Sequence, residues 1–283
     1  MKHILLPTDF SENAWNAIFT AIKLYANFTC KFYVLNCYAL EGRNIGGFKS
    51  TVRSGMVYKA LKTTSQTGLA EIMQYVKENQ TDPNYQFETI SYSGDLVSGI
   101  KNSISKYDIE TIVMGTKGAT GAKSIFLGSN TVNTLKRIKN CVLIAVPKKF
   151  DFKALKSVVL PTEYTHFFPK PVFKPLLELI GIEDTEVKIF HVAQEFKMNA
   201  QQEANKAILK KRLKGYAHSF YKVTIKSTVA RAIRDFSEAQ NADLIVLTNY
   251  SHTFLEKITQ EPVVRKMMFK SSKPIMVLPD LEG

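Results

Sequence analysis

The chain has 283 residues, 45% of them hydrophobic, and a net charge of +13; this suits two globular domains of roughly 100–150 residues each and argues against a low-complexity or disordered chain. The charge is mostly lysine spread over both halves, and the dense run Lys206–Lys214 reads as the solvated face of a helix, with Ala207, Ile208 and Leu213 as its apolar positions, so a nucleic-acid surface is not expected. No run approaches the ~18 apolar residues of a membrane span, Met1–Pro7 is too short for a signal peptide, and three cysteines without metal-like spacing (Cys30, Cys37, Cys141) fit neither a disulfide framework nor a zinc site; the expectation is a soluble, cytoplasmic protein.

In chain order, a strand is expected at His3–Leu6. A helix follows from Ser11 to Tyr25, with Ser11 as N-cap and Ala14, Ile18, Ala21, Ile22 and Tyr25 at helical spacing. A strand at Phe32–Cys37 leads into an insertion, Leu40–Thr67, whose glycines (Gly42, Gly46, Gly47, Gly55, with Gly68 just beyond) predict a mobile flap. A loop-interrupted helical region spans Tyr58–Lys77. Then come a strand at Phe87–Ser91, a helix at Leu96–Ser105, a strand at Thr111–Met114, a helix at Thr131–Arg137 and a strand at Val142–Val146.

The second half repeats this order. Ile4-Leu5-Leu6-Pro7-Thr8-Asp9 is echoed by Val158-Val159-Leu160-Pro161-Thr162-Glu163. Asp108–Met114 is echoed by Ala242–Leu247, and Cys141–Pro147 by Lys273–Pro279. Three matches in one order indicate a tandem duplication joined near Lys148–Lys153, with domains at 1–149 and 150–283. Short apolar runs alternating with helices predict, in each copy, a doubly wound α/β domain whose parallel sheet is covered on both faces. In such sheets ligands bind outside the carboxyl ends of the strands, where strand order reverses.

The turn after the fourth strand carries Gly115, two residues, Gly118, nine residues, then Gly128-Ser129-Asn130. Glycines allow close approach of the backbone to an anion. Gly128-Ser129 opens a helix whose unpaired N–H groups favour phosphate. The spacing is neither that of a Rossmann fingerprint nor that of a Walker loop. The glycines can also serve only to shape the loop; their place after a parallel strand, beside Pro7-Thr8-Asp9, favours a ligand.

With Gly-x2-Gly-x9-Gly-Ser after the fourth strand and Asp9 after the first, the sequence resembles the universal stress protein family, over nearly its whole length as two tandem domains. The resemblance implies five-stranded parallel sheets of order 3-2-1-4-5. It also implies ATP binding, with or without Mg, in members that keep the loop. Gly118, Gly128, Ser129 and Asn130 would then hold phosphates, and Met114 and Gly115 would lie against the ribose. Pro7, Thr8, Asp9 and Cys37 would form the adenosine end, Cys37 through its main chain. Asn130 and Cys37 depart from the apolar residues usual at their positions.

The second copy lacks this chemistry. Thr248 stands for Gly115, Ser251 for Gly118, and Glu261-Pro262 for Gly128-Ser129; Glu163 keeps an acid at the place of Asp9. One adenine nucleotide per chain is therefore expected, held as a regulatory ligand. No paired carboxylates, Walker motif or arginine beside the loop point to rapid turnover, which leaves at most weak hydrolysis. An interaction scaffold without nucleotide is the alternative.

Other residues carry less. Asp9 reads either as ligand contact or as a helix cap, and Lys117 and Lys123 either as phosphate neighbours or as solvated lysines. The five histidines form no metal-spaced cluster; His191, at the place of Asn36, reads as a packed histidine. Phe167-Phe168-Pro169-Lys170-Pro171 reads as helix entry and packing. The Val/Ile-rich last strands of both copies can pair edge to edge as an intrachain pseudo-dimer, which covers an exposed edge; a homodimer beyond that is compatible with the sequence.

Overall fold

A computed structural model describes residues 1–40, 48–80, 82–116, 129–191, 197–222, 229–248 and 271–279. Its first half runs β1 (Lys2–Pro7), α1 (Glu12–Leu24), β2 (Cys30–Tyr38), α2 (Phe48–Asn79), β3 (Tyr85–Ser93), α3 (Leu96–Tyr107), β4 (Thr111–Gly115), α4 (Ser129–Arg137) and β5 (Val142–Val146). The second half runs β6 (Ser157–Thr162), α5 (Lys170–Ile180), β7 (Glu186–His191), α6 (Ala200–Arg212), β8 (His218–Lys222), α7 (Val229–Ala239), β9 (Leu244–Thr248) and β10 (Ile275–Leu278).

All these strands join one sheet of ten, ordered β3-β2-β1-β4-β5-β10-β9-β6-β7-β8. Each half therefore has the order 3-2-1-4-5, and pairing within a half is parallel. The halves meet where β5 and β10 pair antiparallel, Ala145 opposite Ile275 and Leu143 opposite Val277. This pairing removes two edges that would otherwise present unpaired backbone.

The central strands are buried on both faces, which is why they read as unbroken apolar runs. Ile4 and Leu6 face one layer with Ala17, Ile18 and Ile72, and Leu160 and Phe173 continue that layer into the second half. Leu5 faces the opposite layer with Ile100 and Ile112. On that side Met114, Leu143, Ile245 and Val277 form a cluster across the junction of the halves. Edge strand β3 has no fully buried position and mixes half-buried with exposed residues, because it has a neighbouring strand on one edge only.

The termini of α1 follow local chemistry. Ser11 Oγ accepts from the Ala14 N–H at 3.3 Å, Glu12 sits in the first turn and Lys23 in the last. Outside α2, most boundaries of the first half move outwards by one or two residues from the sequence expectation, whereas α1 is one residue shorter at each end and β5 is unchanged. The larger correction concerns the insertion. Residues 48–67 are not a loop: α2 is a continuous helix of 32 residues, about 48 Å long. Gly68 lies inside it because a Cβ there would stand 2.6 Å from the Phe10 ring. Gly42, Gly46 and Gly47 lie outside the described residues. In α6 the buried positions are Asn205 and Leu209, whereas Ala207 is exposed, against the apolar role expected for it; Lys210 and Lys211 are solvated as expected.

Candidate functional site

Strand order reverses between β2-β1 and β4-β5, so the carboxyl ends of β1 and β4 define the switch point. Pro7 and Thr8 are buried there and Asp9 is exposed. Thr8 is held on three sides: its N–H donates to the Leu35 carbonyl (2.8 Å), its carbonyl accepts from Asn36 Nδ2 (2.8 Å), and its hydroxyl accepts from the Phe10 N–H (3.0 Å). Phe10 takes a positive φ of 63°, an unusual conformation for an aromatic residue, and its ring lies over Gly68. Asp9 Oδ1 accepts from the Ser11 N–H at 3.1 Å. Asp9 thus shapes the turn before α1, and the cap itself is Ser11.

The β1–β2 ladder stops at Pro7–Leu35, while β2–β3 continues to Tyr38–Ser93. The Leu35 carbonyl points at β1, and alternation along the strand turns the N–H and C=O of Cys37 to that same side, beyond the end of the ladder. The Cys37 side chain packs against α3, where a Cβ on Gly99 would lie 2.5 Å from its Sγ. Burial pushes its thiol up to about 12, with Asp95 adding to the shift. Burial likewise pushes Cys30 up to about 12 and Cys141 up to about 11. None is a ready thiolate.

On the β4 side Met114 is buried and Gly115 half-buried. A Cβ on Gly115 would come within 2.9 Å of the Asn13 main-chain oxygen, so only glycine fits without movement. The Gly115 carbonyl accepts from Thr131 Oγ1 at 3.1 Å, which ties the end of β4 to the first turn of α4. Ser129 begins α4, which has no acidic residue in its first turn, and Asn130 is exposed. That helix end suits an anion electrostatically. Gly118, Gly128, Lys117 and Lys123 lie outside the described residues, as does the Ser129 side chain. The described set thus brings Pro7, Thr8, Asp9, the Cys37 main chain, Met114, Gly115 and Asn130 to one end of the sheet. Among the described residues no group of three or more His, Cys, Asp or Glu could hold a metal ion.

Asn13 escaped sequence reasoning. It is 2% exposed and reaches from α1 to the end of β5, donating through Nδ2 to the Val146 carbonyl at 3.0 Å. The signal was its place on one helical stripe with the buried Ala17 and Thr20.

In the second half Thr248 pairs with Leu278 as Gly115 pairs with Val146. Ser251, Glu261 and Pro262 lie outside the described residues. His191 packs against Tyr164 with the rings tilted by 36° and their centroids 5.1 Å apart, and its Nε2 is buried with no hydrogen-bond partner among the described residues. Burial, and then Lys206, lower its pKa. The Phe167–Pro171 segment enters α5 as expected, with Pro169 as N-cap and Phe168 buried, although Phe167 is exposed.

The universal stress protein family profile matches residues 1–146, just over half of the chain. Two universal stress proteins of Methanocaldococcus jannaschii are similar in sequence. One is 26% identical over 147 residues, covering 52% of this chain and 82% of its own; the other is 28% identical over 157 residues, covering 52% and 96%. A universal stress protein from Archaeoglobus fulgidus has the same fold across 98% of this chain and 96% of its own, with a TM-score of 0.67 at 19% identity. A structure from Pseudomonas aeruginosa described as a putative universal stress protein gives 0.63 at 10% identity, covering 99% and 93%. On the match to its first half, this chain belongs to the universal stress protein family.

Proposed function

We propose that the chain is a cytoplasmic stress-response protein of two domains, 1–149 and 150–283, that binds one ATP in the first domain as a regulatory ligand. The observation that carries the reading is the corner at the switch point. Gly115 has no room for a Cβ, and the following helix starts at Ser129 without an acidic residue in its first turn. The Cys37 main chain lies beyond the end of its ladder with β1. These are a site for close backbone approach, an end for phosphate and an edge for adenine. The family resemblance supports ATP as the ligand where the glycine spacing is kept, and it is kept here through Gly118 and Gly128.

In the second domain Thr248 replaces the crowded glycine, and Glu261 would place a negative charge where phosphate sits. That domain serves as structural partner, not as a second site. The bound nucleotide acts by stabilising one arrangement of the chain.

Native mass spectrometry with ATP tests the reading. One nucleotide per chain is expected, and at a hundredfold excess over Kd the folded state should gain about 2.7 kcal/mol. Gly118→Val and Gly128→Val should each abolish the adduct. An unchanged mass and melting temperature with ATP would leave the fold acting as a scaffold without nucleotide.

A further inference from the structure

The helix α1 lies along the connection between β5 and β6: Glu12, Asn16 and Lys23 touch the connection itself, and Asn13 touches the last residue of β5. Glu12 pairs with Lys148 at 2.6 Å. Asn13 Nδ2 donates to the Val146 carbonyl at 3.0 Å. Asn16 Nδ2 donates to the carbonyls of Pro147 (3.0 Å) and Phe150 (2.9 Å). Lys23 donates to the Phe152 carbonyl at 3.3 Å and lies 3.7 Å from the Asp151 carboxylate.

One of these contacts also faces the candidate site. The Val146 carbonyl that takes the Asn13 amide also accepts the Thr116 N–H at 3.0 Å. Thr116 Oγ1 donates to Asn13 Oδ1 at 3.5 Å. The missing Cβ of Gly115 is the space Asn13 occupies, 2.8 Å from its Cγ. Asn13 therefore bonds the end of β5 and the residue following β4 while filling the space beside Gly115.

The second half replaces both partners. Matched on the buried stripes of the two helices (Asn13, Ala14, Ala17, Thr20 and Ala21 of α1 against Val172, Phe173, Leu176, Leu179 and Ile180 of α5), Val172 stands for Asn13 and Pro175 for Asn16, while Thr248 stands for Gly115. A buried amide is costly unless bonded on each side. A clamp for the connection alone would need only Glu12, Asn16 and Lys23.

We propose that Asn13 is a positioning residue that fixes Gly115 and Thr116 for the nucleotide, and that α1, through Asn16, couples that corner to the connection at 147–152. The proposal rests on the ATP reading for its ligand and on the structure alone for its coupling.

Hydrogen exchange on the full chain, with and without saturating ATP, tests both parts. In the wild type, ATP should slow exchange over 147–152 by about threefold or more, as a local opening becomes rarer. Asn13→Asp turns a carboxylate oxygen on the Val146 carbonyl, and Asn13→Leu supplies packing without the amide. Each should weaken ATP about tenfold in protein that still folds. Asn16→Ala should keep ATP affinity within about twofold but lose the ATP effect on 147–152. Without nucleotide, Asn16→Ala should raise exchange at the Thr116 amide.

Wild-type ATP affinity in both Asn13 variants would overturn the positioning role, even if their melting temperatures fall. ATP binding that leaves 147–152 unchanged would overturn the coupling. Failure of the wild type to bind ATP would remove the ligand and overturn the positioning role. The Thr116 amide in unliganded Asn16→Ala would then decide the coupling by itself: faster exchange supports it and an unchanged rate overturns it.

Discussion

After β1 and after β6 the chain makes the same turn. Thr8 Oγ1 accepts from the Phe10 N–H at 3.0 Å, and Thr162 Oγ1 from the Tyr164 N–H at 2.9 Å. Phe10 and Tyr164 take positive φ values of 63° and 55°. The two corners are then finished differently. In the second half Asn205 Nδ2 donates to the Tyr164 carbonyl at 2.8 Å and Gln202 Nε2 to the Glu163 carbonyl at 2.9 Å. Tyr164 is 2% exposed, and Lys206 lies 6.0 Å from its ring centroid. Helix α6 thus binds the corner with its own side chains. In the first half Phe10 is half-buried on Gly68, and the carboxylate of Asp9 is exposed. One strand order, shared by both halves, holds a corner closed by its own polar groups and a corner whose polar edge faces outwards.

The largest break in this comparison comes from the two aromatics. Tyr164→Ala should cost about 3–5 kcal/mol, as for a fully buried aromatic, and Phe10→Ala clearly less; denaturant midpoints of the two variants measure the difference. Equal losses would mean that the corners are equally closed. Next, Gly115→Thr imports the residue of the second half. The added Cβ meets the main chain of Asn13, so about 1–3 kcal/mol of stability and the ATP adduct should both be lost. Thr248→Gly should gain no ATP, because the remainder of the loop is not restored; native mass spectrometry reads both.

A smaller effect concerns His191, whose pKa burial and Lys206 lower in the folded state. The folded pKa lies below the unfolded value, so its contribution is complete above the unfolded value of about 6.5. It is lost as pH falls through the folded value, because the unfolded state binds the proton more readily. Thermal unfolding from pH 7 to pH 5 should show this loss, and His191→Asn, the residue of the first half, should flatten it. The smallest effect is expected at the junction. Lys2 Nζ sits 2.6 Å from Glu178 of α5 and 3.6 Å from Glu110. A double-mutant cycle on Lys2 and Glu178 should give about 0.5–1 kcal/mol, since both side chains remain partly solvated.

Much of the frame was legible because it rests on local chemistry. The central strands read as apolar runs, since both faces are covered. Ser11 was readable as a cap by its position before a periodic run. The three echoed strand segments pointed to the strand order that both halves share. The insertion was misread for a physical reason: glycine counts as a helix breaker in isolation. In place, Gly68 makes room for Phe10 within the packed half of α2 that begins at Ser65, while Gly55 lies in its exposed half, where a Cβ would meet nothing; one glycine in each half costs about 1 kcal/mol, which a helix of this length absorbs. The buried amides were hidden for a related reason. Asn13 and Asn205 look like surface residues until the carbonyls they serve, Val146 and Tyr164, are brought beside them from 133 and 41 residues away.

The sequence by itself determined the alternation of strands and helices, the likeness of the two halves, and the glycine spacing after the fourth strand in the first half and its absence from the second. These are properties of short segments, governed by periodicity, capping and backbone freedom. Tertiary structure alone decided that Gly115 is required by Asn13, that α1 lies along the connection between the halves, and that α6 closes the second corner. Each depends on atoms far apart in the chain meeting at a hydrogen bond or a van der Waals limit, and spacing along the chain does not carry that information.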